Sequence, residues 1–380
     1  MRTPHFTVAT AAAAVVLALT TAAPAGAARF DHGPFAASFI GHLHTISTVA
    51  SAVPASGPAA GDQNPYGVAV VPRSTGDLRR GDLLVSNFNN SPNQQGTGSS
   101  IVEISPDGQQ RVFAVVPQPT ATPAVGLTTA LAALGNGDVI VGSLPAPGGS
   151  SAGLTAGALT ILNPEGQVIR TLTAPDINGP WDMTAVGDGR FVTLFVTNVL
   201  NNTVAANGNT VDDGTVTRIT LGFDHGGADP RVISNQVIAT GFGEHTDPNA
   251  LVVGPTGVGL GRHDVLYVAD ANANRITAIP DALERHTVLG SGGITVTADP
   301  MLNDPLGLAI APNGDIVTAN GGDGNIIETT PAGHRAAFKT LVANGGGDLF
   351  GLAVTPNGDG LYFVDDAGSG PSANSLGVVR

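Results

Sequence analysis

A short sequence frame recurs along the chain, and this repetition constrains the fold more than any other feature. The two most similar copies are DPLGLAIAPNGDIVTAN (304–320) and DLFGLAVTPNGDGLYFVDD (348–366). Alignment of all copies on a small residue, or on the residue that replaces it, defines six units of unequal length. Self-similar units of this kind are typical of solenoids, propellers and arrays. The six anchor residues are Gly67, Ala130, Asp182, Ala250, Gly307 and Gly351.

Within each unit, short and alternating apolar segments are separated by turn residues. Leu308 and Ile310 alternate with alanines, and Pro312–Gly314 separates this segment from the next one. Similar turns lie at Pro106–Gly108 and Pro164–Gly166. Alternation indicates β-strands, while proline presets φ and glycine accepts positive φ in the turns. Four antiparallel strands repeated radially predict an all-β, six-bladed β-propeller.

The two ends of the repeat array predict how the ring closes. The sixth unit shows two clear strands and a short third at Leu376–Val379, but no fourth. Residues 37–50, by contrast, read as a single strand before the first unit. We expect a strand around Phe39–Thr48 to pair with the last blade, because pairing removes an exposed sheet edge.

The N-terminus has the pattern of a signal peptide. Arg2 precedes the apolar stretch Phe6–Thr21, and Ala25-Gly26-Ala27 fits a small-x-small cleavage site. The stretch is short for a bilayer span, which takes about 20 residues. No cysteine follows it that could carry a lipid. We therefore expect residues 1–27 to be removed and residues 28–380 to form one secreted or periplasmic propeller domain.

Composition excludes several kinds of site and partner. The chain has no cysteine, so it can form neither disulfides nor thiolate metal sites. Its 16 basic and 30 acidic residues give a formal net charge of −14. This balance predicts no nucleic-acid partner and no adsorption to anionic lipid, because both need a basic surface.

The unit from Asp247 to Ile276 carries a family resemblance. Its Ala269-Asp270 pair and its Asn274-Arg275-Ile276 run resemble NHL repeats. The frame over residues 37–380 is also similar to the six-bladed propellers of the gluconolactonase and regucalcin superfamily. This resemblance implies a propeller fold, and it leaves hydrolases, lyases and pure binding scaffolds open.

The same resemblance implies a metal held by carboxylate and amide oxygens, and the sequence matches that pattern only in part. Pro248-Asn249-Ala250 corresponds to the family's Pro-Asn-Gly motif, with alanine in place of glycine. The family's first-blade glutamate, near a Glu-Gly-Pro pattern, has no counterpart, because Asn64-Pro65-Tyr66 occupies that region.

Strand direction divides the connections of a propeller between two faces. If the four strands of a blade are a to d from the channel outwards, the a-to-b and c-to-d connections lie on one face, which we call the turn face. The d-to-a and b-to-c connections lie on the other, the loop face. Function usually lies on long loops of a rigid scaffold, so the loop face around the channel mouth is the predicted site. The long connections of the loop face are residues 87–99, 117–126, 143–157, 174–180, 198–214, 241–249, 290–305 and 365–374.

Two sets of residues are predicted to meet at this mouth. Asparagine and aspartate oxygens suit a hard cation such as Ca²⁺, although they can equally bond to the backbone of their own turns. The candidate binding residues are Asn64, Tyr66, Trp181, Asn249 and Phe350, and the candidate metal ligands are Asp247, Asn249, Asp304 and Asp348.

The segment Gly243–Asp247 contains the candidate catalytic residues. Glu244 and His245 stand next to each other directly before a predicted inner strand. A histidine beside acids can act as a general base near neutral pH, and it can also be simply a solvated loop residue.

Two classes of function follow from these patterns. The favoured one is an exported scaffold that binds a glycan, peptide or protein through the loop face. The alternative is a metal-dependent hydrolase or lyase with its site at the channel mouth.

Overall fold

The computed structural model describes residues 37–118, 124–187, 190–223, 230–367 and 373–380. The predicted signal peptide lies outside these ranges. The described residues form an all-β, six-bladed propeller, as the repeats predict. Among the described helices, none has the length and apolarity needed to cross a membrane.

The strands are named in chain order, and strand β1 comprises Ile46–Ser51. The helical elements are short: α1 (Thr203–Ala206) and the 3-10 turns Ile40–His42, Pro147–Gly149, Ser151–Gly153 and Arg262–Asp264. The remaining strands are β2 (Gln63–Val70), β3 (Leu83–Asn89), β4 (Ser100–Ile104), β5 (Gln110–Val115), β6 (Leu127–Ala133), β7 (Val139–Ser143), β8 (Ala158–Leu162), β9 (Val168–Leu172), β10 (Pro180–Gly187), β11 (Phe191–Asn198), β12 (Val211–Gly222), β13 (Arg231–Asp247), β14 (Leu251–Val253), β15 (Pro255–Leu260), β16 (Leu266–Asp270), β17 (Arg275–Ile279), β18 (Ile294–Thr297), β19 (Pro305–Ile310), β20 (Ile316–Asn320), β21 (Asn325–Thr329), β22 (Arg335–Thr340), β23 (Leu349–Val354), β24 (Leu361–Asp365) and β25 (Ser375–Val379).

Each blade is an antiparallel sheet of four consecutive strands, with two exceptions. Blades 1 and 2 are β2–β5 and β6–β9, and blades 4 and 5 are β15–β18 and β19–β22. Blade 3 contains β10–β13, with β14 paired to the end of β13 as a fifth strand. Blade 6 contains β23, β24 and β25, with β1 as its outer strand. Apolar side chains fill the spaces between neighbouring blades and form most of the core.

The N-terminal strand closes the ring, which confirms the prediction. Strand β1 pairs antiparallel with β25, and Ile46 lies opposite Val379. The residues before Ile46 differ from the expectation, because Ile40–His42 forms a 3-10 turn rather than a strand. Glu328 on blade 5 causes this: its carboxylate accepts hydrogen bonds from the backbone N–H groups of Phe39 and Ile40 at 2.7 and 2.8 Å.

A β-bulge in the inner strand of each blade explains the repeated frame. The anchor residue lies at this bulge, against the inner strand of the next blade. A side chain at Gly307 would collide with the carbonyl oxygen of Phe350, and one at Gly351 with that of Tyr66. A small residue is therefore required where neighbouring inner strands approach most closely.

The fourth unit departs from the predicted alignment. Its inner strand is β15, and its anchor is Gly257 rather than Ala250. The predicted loop 241–249 is mostly the end of β13, which continues to Asp247 and pairs with β14. Leu251–Val253 and Pro255–Leu260 both show the alternation of apolar residues that is typical of a strand. Only Gly257, in the second segment, fits against the backbone oxygen of Leu306.

The turn face is built largely from one turn type. At Gly108, Gly166 and Gly333, which connect third and fourth strands, the glycine N–H donates to the carbonyl oxygen three residues earlier. Their φ angles are 87°, 75° and 87°. These are positive values, which a glycine adopts without steric cost.

Candidate functional site

Four aromatic side chains fill the loop-face end of the central channel. The bulges place Tyr66, Trp181 and Phe350 immediately before their anchors, so three blades direct them to the axis. Tyr66 stacks on Phe88 with ring centroids 4.4 Å apart, and the rings of Phe350 and Trp181 lie 4.1 and 5.7 Å from Tyr66. Three of the five predicted mouth residues therefore meet, and each is at most 5% exposed.

Two polar atoms beside this aromatic cluster have no hydrogen-bond partner among the described residues. They are Nε1 of Trp181 and Oδ1 of Asn64, and both side chains are almost completely buried. The Asn64 side chain is also hydrogen-bonded to the hydroxyl of Tyr66. Burial, reinforced by the charge of Asp366, raises the pKa of Tyr66 above its ordinary value. Unpaired buried polar atoms cost free energy, so each calls for a partner that the described residues do not supply.

A hairpin from blade 3 covers the aromatic cluster. We call residues 245–253 the mouth hairpin; it joins the end of β13 to β14. Leu251 and Val252 near its tip are buried in the same apolar cluster as Tyr66 and Trp181. Across the mouth, Nε2 of Gln95 donates to the carbonyl oxygen of Asn249 at 2.6 Å.

Asp247 and Asn249 belong to the turn of this hairpin. Oδ1 of Asp247 accepts from the N–H groups of Asn249 and Ala250 at 2.7 and 2.9 Å. This is the alternative that the sequence leaves open, in which a carboxylate bonds to its own turn. Asp247 is therefore not equivalent to Asp304 and Asp348, which directly precede inner strands β19 and β23.

The predicted metal ligands divide into two groups, with Asp304 near Asp247 and Asp348 near Asp366. Burial and the charge of Asp247, opposed by His245, raise the pKa of Asp304 to about 6. Asp348 is instead hydrogen-bonded to Asp366. Burial, together with the charge of Asp348, raises the pKa of Asp366 to about 8. In the described part of the chain, no three histidine, aspartate or glutamate side chains form a group suited to a metal ion. The role of Asp247, Asn249, Asp304 and Asp348 as metal ligands therefore stays a prediction.

Glu244 and His245 do not act on one another, because neighbours on a strand point to opposite faces. Glu244 is fully buried, and it accepts hydrogen bonds from the Asn201 N–H at 2.6 Å and the Thr203 hydroxyl at 3.3 Å. Burial raises its pKa to about 8. The ring Nδ1 of His245 lies 3.0 Å from Oδ1 of Asn272. In this structure, Glu244 holds the loop that carries α1 and His245 bonds to blade 4.

Below the aromatic cluster, the channel contains a cavity of about 290 Å³ with one ionisable side chain in its lining, Asp182. Oδ2 of Asp182 accepts from the backbone N–H of Val258 at 3.1 Å. Burial raises the pKa of Asp182 to about 7, although hydrogen bonds from Met183, Val258 and Thr129 lower it. In the sequence frame, Asp182 is predicted only as an anchor residue. Its charge is the feature that could have marked it as a candidate site residue, because glycine or alanine occupies this position in the other blades.

Comparison with known proteins establishes the fold. No protein-family model matches the sequence, and no curated protein does either. Among solved structures, a gluconolactonase from Xanthomonas campestris superposes with a TM-score of 0.54 at 12% identity, over 90% of each chain. The calcium-binding protein regucalcin from Agrobacterium tumefaciens gives 0.53 at 12% identity, over 87% of this chain and 93% of that one.

A third solved structure is similar to the same degree. The PQQ-bound aldose sugar dehydrogenase from Streptomyces coelicolor gives a TM-score of 0.53 at 14% identity, over 88% of this chain and 97% of that one. Proteins with different chemistries thus share this architecture, and identities this low carry the fold alone. The chain has the six-bladed β-propeller fold of the gluconolactonase- and regucalcin-like proteins.

Proposed function

We propose that this protein is an exported glycan-binding propeller whose site is the aromatic cluster beneath the mouth hairpin. The observation that carries the proposal is the combination of stacked aromatic rings with two unpaired polar atoms, Nε1 of Trp181 and Oδ1 of Asn64. One is a donor and the other an acceptor.

The chemistry of these groups suits a sugar ring. Tyr66 is already stacked against Phe88 and Phe350, so the face that a sugar would use is that of Trp181, which offers flat apolar area to its C–H groups. The indole N–H and the amide oxygen at the edges of the cluster would pair with hydroxyl groups. Ligand pockets commonly combine an apolar lining with a few polar groups that fix orientation. A peptide would require a row of backbone partners, and a protein a broad exposed surface, so a glycan fits this compact arrangement best.

Access to the rings requires displacement of the mouth hairpin. Strand β14 has three residues and pairs with β13 alone, so few backbone hydrogen bonds hold it. The Gln95–Asn249 hydrogen bond supplies a contact across the mouth. Displacement would also take Leu251 and Val252 out of the apolar cluster, so a ligand must replace the apolar contacts that these two side chains make.

A single tryptophan makes the proposal directly testable. Trp181 is the only tryptophan of the chain, so intrinsic fluorescence reports on the proposed site. Titration with a panel of mono- and oligosaccharides should give a saturable change in emission for at least one sugar. Calorimetry with that sugar should then show loss of binding in Trp181→Leu. The matched control is Phe338→Ala, which removes an exposed aromatic ring on β22 and should leave binding unchanged.

Two results would contradict glycan binding. The first is an emission spectrum that no sugar of the panel alters. The second is a sugar that binds Trp181→Leu as tightly as the wild type, since its site would then lie elsewhere.

The second candidate is a cation-dependent hydrolase or lyase, and the Asp348–Asp366 pair favours it. These two carboxyl groups share a hydrogen bond, and Asp366 acts on the pKa of the neighbouring Tyr66. Two carboxyl oxygens and the unpaired amide oxygen of Asn64 are the donor types that Ca²⁺ prefers. Such an ion would supply a positive charge that polarises a substrate carbonyl.

A further inference from the structure

The mouth hairpin contains one residue whose backbone conformation is unfavourable for its side chain. Leu251 has a φ angle of 62°, in the left-handed region that glycine adopts freely and a bulky side chain rarely does. The N–H of Val252 donates to the carbonyl oxygen of Ala250 at 2.7 Å, which closes a three-residue turn around Leu251. Turns of this kind with a positive φ at their centre are rare and strained. The chain between Ala250 and Val252 is therefore held under strain.

Burial of the Leu251 side chain offsets this strain. Leu251 is fully buried, and the neighbouring Val252 is nearly so. Both belong to the apolar cluster that contains Tyr66, Phe88 and Trp181. The burial of apolar area favours the closed hairpin, whereas the strained turn favours its release. Two contributions of opposite sign thus act on the same residue.

The base and the tip of the hairpin are held differently. At the base, β13 continues into the hairpin, and the N–H of Gly208 donates to the hydroxyl of Thr246 at 3.0 Å. Near the tip, the Gln95–Asn249 hydrogen bond crosses the mouth, and the side chain of Leu251 enters the apolar cluster. The tip can therefore move while the base stays in place.

We propose that the mouth hairpin is a strained gate and that Leu251 is its plug, which a ligand must displace to reach Trp181. This role of Leu251 rests on the proposed function, in which the aromatic cluster is the binding site. In the closed state, Leu251 takes up apolar surroundings that a ligand would otherwise contact. The free protein is then autoinhibited, and the affinity for any ligand is reduced in proportion to the fraction of open molecules.

Because the chain has no cysteine, opening can be measured without a ligand. Leu251→Cys introduces a single thiol on the hairpin. Leu84→Cys is the matched control, at a fully buried position of β3, which is paired on both sides. With N-ethylmaleimide, Leu251→Cys should react about a hundredfold or more faster than Leu84→Cys, because local opening needs much less free energy than global unfolding. Low concentrations of urea should accelerate only the control.

The emission of Trp181 gives a second measurement. Leu251→Ala removes the plug, so acrylamide should quench Trp181 more strongly than in the wild type. Leu84→Ala shortens an equally buried side chain in a different apolar cluster, and it should leave the quenching unchanged.

Gln95 tests the contact that holds the tip. Gln95→Ala removes the hydrogen bond to Asn249 and should raise the reaction rate of Leu251→Cys about two- to tenfold. Gln94→Ala is the control, because the side-chain oxygen of Gln94 accepts from Asn90 of its own loop. It should leave the rate unchanged.

Glycine separates the strain from the plug. Leu251→Gly and Leu251→Ala both remove the buried side chain, but only alanine keeps the steric cost of a positive φ. Amide hydrogen exchange in the pairing of β13 with β14 should therefore be slower in Leu251→Gly than in Leu251→Ala. Exchange that is as fast or faster in the glycine variant would contradict a strained gate.

Two further results would overturn the gate: equal reaction rates of the two thiols, and unchanged quenching of Trp181 in Leu251→Ala. Neither depends on sugar binding. A sugar that binds at Trp181 while both thiols react equally slowly would support the proposed function and overturn the gate. Rapid reaction of Leu251→Cys in a protein that binds no sugar would support the gate and contradict glycan binding. Where a sugar does bind, Leu251→Ala should bind it more tightly than the wild type, and equal or weaker binding would overturn the plug.

Discussion

Oδ2 of Asp182 accepts a hydrogen bond from the backbone N–H of Val258 at 3.1 Å, and this contact joins the inner strands of blades 3 and 4. At the equivalent position, Gly307 and Gly351 lie directly against a carbonyl oxygen of the next blade. Asp182 instead uses its side chain to reach an N–H group of the next blade. Asp182 therefore stabilises the contact between blades 3 and 4, and it is also the one ionisable side chain that lines the channel cavity.

The first prediction concerns this contact between blades. Asp182→Ala should lower the free energy of unfolding by about 1–3 kcal/mol, because the Val258 N–H loses its partner. Asp182→Asn keeps an acceptor oxygen and should stay much closer to the wild type. Urea unfolding followed by circular dichroism measures both variants. Equal losses in the two would show that the hydrogen bond is not the stabilising element.

The second prediction concerns pH. Burial raises the pKa values of Glu244 and Asp366 to about 8 and that of Asp182 to about 7, from ordinary values of 4.5 and 3.8. Folding therefore favours the protonated form of each group. Each group stabilises the fold fully below the pKa that it has in the unfolded chain, and this contribution is lost as pH rises through its pKa in the folded protein. The melting temperature should be higher at pH 5.5 than at pH 8.

Glu244→Gln isolates one of these groups. The amide cannot ionise, so the variant should show a flatter melting profile between these two pH values. Glu165→Gln, at an exposed turn position, is the matched control and should keep the wild-type slope. A melting temperature that rises towards pH 8 would contradict the prediction.

The third prediction concerns the N-terminal segment. Burial alone would raise the pKa of Glu328, but hydrogen bonds from Ser38, Phe39, Asn313 and Ile40 hold it below its ordinary value. Glu328→Gln replaces one accepting oxygen and should cost about 1–3 kcal/mol. Amide hydrogen exchange should show faster exchange in the pairing of β1 with β25. The wild type should lose the same contribution as pH falls through the depressed pKa.

Glu165→Gln again supplies the matched control, since it removes a charge without disturbing this segment. Unchanged exchange in Glu328→Gln would mean that β1 holds its place without Glu328.

The fourth prediction concerns ring closure. Deletion of residues 28–50 removes β1 and leaves β25 as an exposed strand edge, which invites association with other chains. The truncated protein should aggregate or be insoluble, and sedimentation with light scattering measures this. A soluble, monomeric truncation with a cooperative melting transition would show that β1 is dispensable.

The fifth prediction concerns the second candidate function. If Asp348 and Asp366 hold Ca²⁺, calcium should stabilise the folded protein by about 2.7 kcal/mol at a hundredfold excess over its Kd, and a chelator should reverse this. Asp348→Asn should remove the effect, while Asp304→Asn should preserve it because Asp304 lies beside the mouth hairpin instead. Melting that is indifferent to calcium and chelator in the wild type would exclude this site.

The local features of the fold are predictable from the sequence, and the reason is chemical. Pro164–Gly166 forms the predicted turn because proline and glycine restrict the backbone there. The meeting of Tyr66, Trp181 and Phe350 follows from their equal positions in the frame. The fourth unit is misaligned because Leu251–Val253 and Pro255–Leu260 have similar alternation, and only the packing against Leu306 distinguishes them.

The chemical candidates are harder to predict because burial and partner choice depend on the whole fold. Glu244 and His245 are neighbours in sequence, but the segment is a strand rather than a loop, so the two side chains diverge. Asp182 lacks any neighbouring motif. Its raised pKa comes from the cavity walls, and these are supplied by strands throughout the ring.

The pairing of β1 with β25 also determines the order of assembly. Among the described strands, the outer strand of blade 6 is synthesised first, and its partner Ser375–Val379 is synthesised last. Blades 1 to 5 can form their internal strand pairings as they are synthesised, but the pairing of β1 with β25 cannot form until β25 has been made. The ring therefore stays open until Ser375–Val379 has been synthesised, and β1 has no partner strand before that moment.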